Sequence, residues 1–455
     1  MKRLGAPASS PTNRQAPMGM LASPTLVPKL RFPDFQDGPA WTHSAMGEAY
    51  SFKSNNSFSR DQLSYEQGLV RNIHYGDIHT KFSTLFDITK ETVPFINRTE
   101  LVDGLRREND CIEGDMIFAD ASEDLADIGK SIEVVRLNGE RVVAGQHTIL
   151  ARPNGENVAI GFGAYLFKSR YVRTQIEKES QGSKVLGISA TRLAKIELPI
   201  PSTKAEQQKI AECLSTLDEL IGAESQKLDA LKAHKKGLMQ QLFPREGETI
   251  PRLRFPEFQG APEWEQRVLC EVTDSVFDGT HQTPTYVASG VPFYSVENLI
   301  SGNANKFISR EDYIAATRKN KPEKGDILLT RIGKVGYSRV VTWEHDFSVY
   351  VTLAVIKQSE FFDSHYLHFF FQSDRFQAEL RSKSLPNAVP PKINLDSLRA
   401  TIVLLPKAEE QQRIASCLSS LEYLIAAQSD QFEALKIHKK GLMQQLFPAP
   451  TESEE

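Results

Sequence analysis

Along residues 206–244 apolar residues recur at alternating steps of four and three, the seam of a coiled-coil helix. The seam runs Ile210, Leu214, Leu217, Ile221, Leu228, Leu231, Leu238 and Leu242, and predicts one long helix closed by Pro244. The stretch returns at residues 410–448, with Ile414, Leu418, Leu421, Ile425, Phe432, Leu435, Leu442 and Leu446 on the seam. Aligned without a gap, 27 of the 39 positions are identical. Polar residues interrupt both seams at matching places, Glu224 and Lys235 in one copy, Gln428 and Lys439 in the other. A polar seam position costs stability, so matched interruptions point to register control or a further partner.

A second repeat lies ahead of the helices: PKLRFPDFQDGPAW at residues 28–41 and PRLRFPEFQGAPEW at 251–264. The chain is therefore two cycles of an LRFP opening, a globular block and a long helix. The blocks between share only short motifs. Residues 132–137 and 147–151 read as strands, with a turn at Asn138-Gly139, and residues 164–179 have helical spacing. In the second block residues 325–331 and 338–342 read as strands and 364–381 as a helix. Both carry Gly-Asp followed by two apolar residues, at Gly114 and Gly325, and then a Gly-Lys pair, Gly129-Lys130 and Gly333-Lys334. Prolines in LPIPSTKA and LLPKAE stop extended structure before each long helix.

The expected fold class is α+β: two globular domains alternating with two long helices that pack as an antiparallel coiled coil, with pseudo-twofold character. The expected boundaries are a disordered leader at 1–27, the first domain at 28–205 and a central spacer helix at 206–244. A linker at 245–250, the second domain at 251–409, a C-terminal spacer helix at 410–448 and an acidic tail at 449–455 follow. About 38 helical residues make a rod of roughly 57 Å. Neighbouring sites on one face of DNA lie about 34–36 Å apart, a distance such a spacer bridges.

Composition narrows the class. With 455 residues, 40% hydrophobic and 25% charged, the chain has ample material for real cores. No apolar run reaches membrane-spanning length. The N-terminus is basic but has no continuous apolar stretch, so it reads as a leader rather than a signal peptide, with Met18 or Met20 as alternative starts. Four cysteines without metal-ligand spacing fit a reduced, cytoplasmic protein. The net charge is −4; residues 28–205 hold 22 Lys/Arg against 24 Asp/Glu, and residues 251–409 hold 19 against 19. A nucleic-acid binder of this composition must use local clusters or a partner's positive surface.

Catalytic motifs are missing. Asp124 stands where a phosphate-cradling loop ending at Gly129-Lys130-Ser131 needs its first glycine, and Val335 follows the second Gly-Lys. Pro390-Pro391 is preceded by Val389, not by the Asn or Asp of an amino-methylating site, and no HExxH or Gly-x-Ser-x-Gly occurs. The expectation is a non-catalytic chain that carries no cofactor or metal.

Recognition chemistry is better supplied. The first block opens with Asn55, Asn56, Ser57, Ser59 and Arg60, then His74, Tyr75, His79 and Lys81; the second opens with Thr280, His281, Gln282, Thr283 and Tyr286. Side-chain amides pair with adenine, Arg and Lys with guanine, and hydroxyls with phosphate. Further candidates are Lys130 and Lys334 on the Gly-Lys turns, Arg331 in the second block, and Gln181, Ser183 and Lys184 after the first block's late helix. Asn387, Lys392 and Asn394 hold the comparable place in the second block. The bland alternative for each is a solvated loop residue. The most closely repeated piece, HKKGLMQQLF, ends both helices. Its lysines suit a helix C-terminus, while its identity in two copies points to equivalent docking of two partner subunits. Leu238, Met239, Leu242 and Phe243 would form one docking face, and Leu442, Met443, Leu446 and Phe447 the other.

The LRFPxF openings, Gly-Asp-apolar and Ile-Gly-Lys elements, LPxP exits and twin EQQ(K/R)IAxCLS helices together resemble the specificity subunit of type I restriction-modification systems. The resemblance spans nearly the whole chain after the leader. It implies two target-recognition domains, each reading one half of a split, asymmetric DNA sequence. It further implies that the helices dock two modification subunits, which hold S-adenosylmethionine, and that motor-nuclease subunits using ATP and magnesium join them. A coiled-coil protein-interaction scaffold with no DNA role is the competing reading.

Overall fold

The computed structural model describes residues 26–449 apart from Arg98 and Pro386. The leader up to residue 25, with both alternative starts, and the tail from residue 450 lie outside the described residues. The chain divides into two units, Met1–Gly222 with Glu433–Glu455, and Ala223–Phe432, so the division falls inside both long helices.

The first unit is built on a five-stranded sheet. Its strands are β1 (Tyr50–Lys53), β2 (Leu85–Asp87), β3 (Met116–Ala119), β4 (Ser131–Arg136) and β5 (Thr148–Pro153), in the order β1-β5-β3-β4-β2. Only the β2–β4 pairing is parallel. Central strand β3 is the Gly-Asp-apolar run, and all four of its residues are buried. Its period-two alternation divides them: Met116 and Phe118 join one core while Ile117 and Ala119 join another. Gly114 has φ 94°, which a side-chain-bearing residue resists, and this turns the chain into β3. Asp115 is buried and fixes that turn by accepting from the Ile112 amide at 2.8 Å and from Arg152 through two bonds.

Helices α1 (Tyr75–Thr80), α2 (Phe162–Leu166), α3 (Arg170–Glu179) and α4 (Lys204–Leu242) follow. The single helix expected at 164–179 is two helices. Ser169 accepts from the Val172 amide and caps α3, and a hydrophobic period does not register so short a break. Glu133 of β4 accepts from the amides of Gly161 (2.6 Å) and Ala164 (2.7 Å) at the start of α2. Burial outweighs those bonds and pushes its carboxyl up to about 7. Leu26, expected in the leader, is buried and bridges the backbone of Trp41.

The second unit repeats the plan with four strands: β6 (Val276–Asp278), β7 (Ile327–Thr330), β8 (Ser338–Val340) and β9 (Leu353–Ile356), in the order β6-β9-β7-β8, all antiparallel. Central strand β7 is again buried throughout, with Ile327 and Leu329 in one core and Leu328 in the other. Among its helices are α5 (Ser364–Gln372), α6 (Asp374–Lys383) and, as far as Phe432, α7 (Ala408–Leu446). The helix expected at 364–381 is also two, broken at Ser373, which caps α6.

Backbone pairing revises one alignment. The amide of Gly129 donates to Ala119 and that of Gly336 to Thr330, the last residues of β3 and β7. Gly129-Lys130 therefore corresponds to Gly336-Tyr337, not to Gly333-Lys334. Gly333 and Gly336 both have positive φ, so the sequence offers two glycines for one role.

Helices α4 and α7 have 39 residues each and end two residues before Pro244 and Pro448. In each unit they run antiparallel. In the first, Asp218 accepts from Lys439, while Ile210 and Leu214 share a core with Leu446. In the second, Lys235 meets Glu422 at 2.5 Å and Gln428 donates to Glu224, while Leu242 shares a core with Ile414 and Leu418. The polar seam residues thus pair with one another or with acids across the seam, as register control requires.

Candidate nucleic-acid interface

The repeated ends are mounts. Arg31 of the first LRFP makes two bonds of 2.7 Å to Glu206, and Trp41 Nε1 donates to the same carboxylate. Arg254 and Trp264 do the same to Glu410. Gln207 and Gln411, next in line, each donate to the carbonyl of the proline that ends the preceding linker, Pro201 and Pro406. Both carboxylates are buried at a helix N-terminus, where the helix dipole favours negative charge. The EQQ and LRFP repeats are therefore two halves of one joint.

The helix ends belong to the same joint, which corrects the docking expectation for four residues. Leu242, Phe243, Leu446 and Phe447 are buried in this chain's own cores. Phe243 packs on Trp264, Tyr366 and Phe370, and Phe447 on Trp41 and Phe162. Leu238, Met239, Leu442 and Met443 are half-buried against those cores. The apolar identity of the two copies is explained by two identical internal seats.

Part of the candidate residues in each unit falls at one place, just beyond the central strand. In the first unit Asp120 follows β3. Its amide donates to the His147 carbonyl, its carboxylate faces His147 Nδ1 at 3.2 Å, and its carbonyl accepts from Ile188. The His147 ring meets Tyr75 at 5.3 Å, and Tyr75 in turn meets His74 and His79. His79 Nε2 contacts the Ala121 carbonyl at 3.0 Å, and Lys130 donates to the His79 carbonyl. The loop carrying Gln181, Ser183 and Lys184 is exposed and closes on this patch through the pairing of Leu186 and Gly187 with Ser122 and Ala121.

In the second unit Arg331 holds the position of Asp120. Its amide donates to Thr352, its carbonyl accepts from Ile393, and its guanidinium reaches the Val351 carbonyl at 2.9 Å and Asp278 at 3.3 Å. Asp278 also meets His281 at 3.3 Å. Thr280 bridges Tyr350, whose hydroxyl bonds Thr283 at 3.2 Å. Lys392 bridges Ile332, so the exposed loop with Asn387 joins the patch; Lys334 is exposed on the adjoining turn. Gln282 and Tyr286 are exposed on the 280–286 loop, and Asn394 flanks the helix Leu395–Arg399. Equivalent hubs thus carry opposite charges, an acid in one unit and an arginine in the other.

Other candidate residues make bonds within the fold, although Asn55, Arg60 and Lys81 remain exposed. Asn55 donates to the carbonyls of Gly145 and Thr148, and Asn56 to Ala144 while accepting from Phe58 and Asn72. Ser59 caps the turn Arg60–Gln62. Arg60 makes two bonds to buried Asp77, which also pairs with Lys81 at 3.0 Å. Burial would raise the Asp77 carboxyl, but Arg60 and Lys81 hold it below the usual range. His74 accepts from the Gly76 amide, and burial with Arg60 nearby lowers its pKa. Ser57 is exposed on the same loop. Asp120, His147 and Tyr350 were missed by the sequence reading. The available signal was position, since each lies beside a Gly-Asp strand or its partner.

Comparison with known proteins agrees with this architecture. A family model described as the type I restriction modification DNA specificity domain matches residues 76–233 and 263–436. The MjaVIII specificity subunit of Methanocaldococcus jannaschii is 27% identical over 295 residues, covering 62% of this chain and 69% of that one. The putative MjaX specificity subunit of the same organism is 26% identical over 349 residues, covering 74% and 78%. The crystal structure of a type I S subunit from M. genitalium superposes with a TM-score of 0.59 at 14% identity, covering 93% of this chain and all of that one. A chain from a structure of type I R-M complex assembly gives 0.52 at 16%, covering 91% and 99%.

Proposed function

This chain belongs to the type I restriction-modification DNA specificity family, and on that premise we propose that each unit reads one half of a split, asymmetric DNA sequence. DNA sequence recognition is the role of the family. The observation that supports division of labour is the pair of hubs. Two scaffolds with the same joint and the same central strand present Asp120 in one place and Arg331 in the other. Arginine pairs with guanine N7 and O6, whereas a carboxylate accepts from the cytosine amine. Such hubs ask for different bases.

On this reading the chain supplies no catalytic group, and α4 with α7 sets the gap between half-sites. Modification subunits dock on the exposed, repeated positions of the helices, such as His234 and Lys236 with their counterparts His438 and Lys440. Methyl transfer and cleavage, with S-adenosylmethionine, ATP and magnesium, belong to the partner subunits. Duplexes selected from a randomised pool by the full chain with its modification partner test the reading. Enrichment of a split motif is expected, with Arg331→Gln relaxing one half and Asp120→Asn the other. Enrichment of a continuous motif, or relaxation of both halves by either variant, contradicts it.

A further inference from the structure

Each unit has a cleft at the same point of its fold, between the turn after the central strand and the break between paired helices. In the first unit it holds about 280 Å3 and is lined by Asp127, Gly129, Lys130, Phe167, Lys168 and Arg173. In the second it holds about 570 Å3, with Gly336, Tyr337, Gln372 and Gln377 at the matching positions. Either volume exceeds several times the roughly 30 Å3 of a water molecule.

The charge of the clefts is alike although the residues are not. The first has Lys130, Lys168 and Arg173 against Asp127; the second has Lys235, Lys334 and Arg339 against Glu422. Each shows three cations to one carboxylate. Yet Tyr337, Gln372 and Gln377 stand where the first cleft has its cations, and Lys334 stands where it has Asp127. Common descent of the two blocks explains the shape and not the charge.

Neutralisation within the fold is incomplete. Lys235 meets Glu422 at 2.5 Å and Lys130 meets Asp127 at 3.4 Å. Arg173 reaches Glu177 only at 3.8 Å. Among the described residues Lys334 and Arg339 have aromatic neighbours, Tyr337 and Trp343, and no acidic partner. Lys168 is exposed as a residue, but burial around its ammonium, then Lys439 and Lys130 nearby with Asp218 offsetting them only in part, lowers its pKa to about 8. Cations held this close with so little counter-charge favour an incoming anion.

We propose that each cleft seats a backbone phosphate of duplex DNA and so positions the reading loops without itself reading sequence. This rests on the DNA-reading assignment above. Phosphate contacts fix register and carry no base information. The clefts therefore supply the local positive surface that the near-neutral blocks lack.

The test uses the full chain and a mixed-sequence duplex of about 40 base pairs, with affinity measured between about 50 and 200 mM salt. Lys168→Gln with Arg173→Gln, and separately Arg339→Gln, are each expected to lower the slope of log affinity against log salt by about one. Binding should weaken equally on all sequences, and the selected motif should not change. The charge-preserving pair Lys168→Arg with Arg173→Lys is expected to keep the slope, which separates charge loss from misfolding. A control pair of exposed lysines outside both clefts, Lys90→Gln with Lys319→Gln, should leave it unaltered. An unchanged slope in the cleft variants, an equal fall in the control, or altered preference in one half-site overturns the proposal. A wild-type chain that does not bind duplex overturns the DNA reading as well.

Discussion

Glu206 and Glu410 show how a residue can look like a repeat letter and prove to be a joint. Each is buried and receives an arginine and a tryptophan from 146–175 residues away. Glu206→Leu removes one charge and leaves Arg31 unpaired, a change that costs about 3–5 kcal/mol; urea unfolding should show that loss. Glu133 gives a pH prediction. Its folded pKa of about 7 lies above the ordinary 4.5, so the native state holds the extra proton between those values. Stability therefore falls as pH rises from about 5 to 7, by up to roughly 3 kcal/mol. Glu133→Gln should flatten that dependence; an identical pH profile in the variant contradicts the assignment. The polar loops were the least legible part of the sequence. Nothing in the composition of residues 55–60 reveals that Asn55 and Asn56 are occupied by backbone carbonyls, or that Arg60 is held by Asp77.

Elements were read more securely, because periodicity is a property of many residues at once. The long helices and the second unit's central strand lie where their patterns placed them, within two residues. The breaks at Ser169 and Ser373 were lost because a capping serine interrupts the backbone without interrupting the apolar period. Leu242, Phe243, Leu446 and Phe447 were expected at a docking face for a related reason: a repeated apolar face marks burial but not the surface that buries it. Phe447→Ala should lower the first unit's stability by about 3–5 kcal/mol, seen as a lower unfolding midpoint rather than as lost partner stoichiometry alone. Across the seam, Asp218 and Lys439 are part-exposed, and their coupling should be only about 0.5–1 kcal/mol in a double-mutant cycle. A coupling indistinguishable from zero contradicts their role in fixing register.

At the scale of the whole molecule, internal repetition carried the argument. Two copies of the same joint in one chain act as a comparison within the sequence: what is shared is mounting, and what differs is specificity. The twofold plan was legible from the LRFP and EQQ repeats. The hubs were not, since Asp120 and Arg331 become equivalent only through strand pairing. The most direct measurement is a methylation map of DNA from cells supplied with this chain and its modification partner, compared with cells in which residues 42–195 are exchanged for those of another family member. The account predicts a two-part methylated motif of which the exchange alters one half and leaves the other and the gap intact. A motif altered in both halves, or in neither, contradicts it.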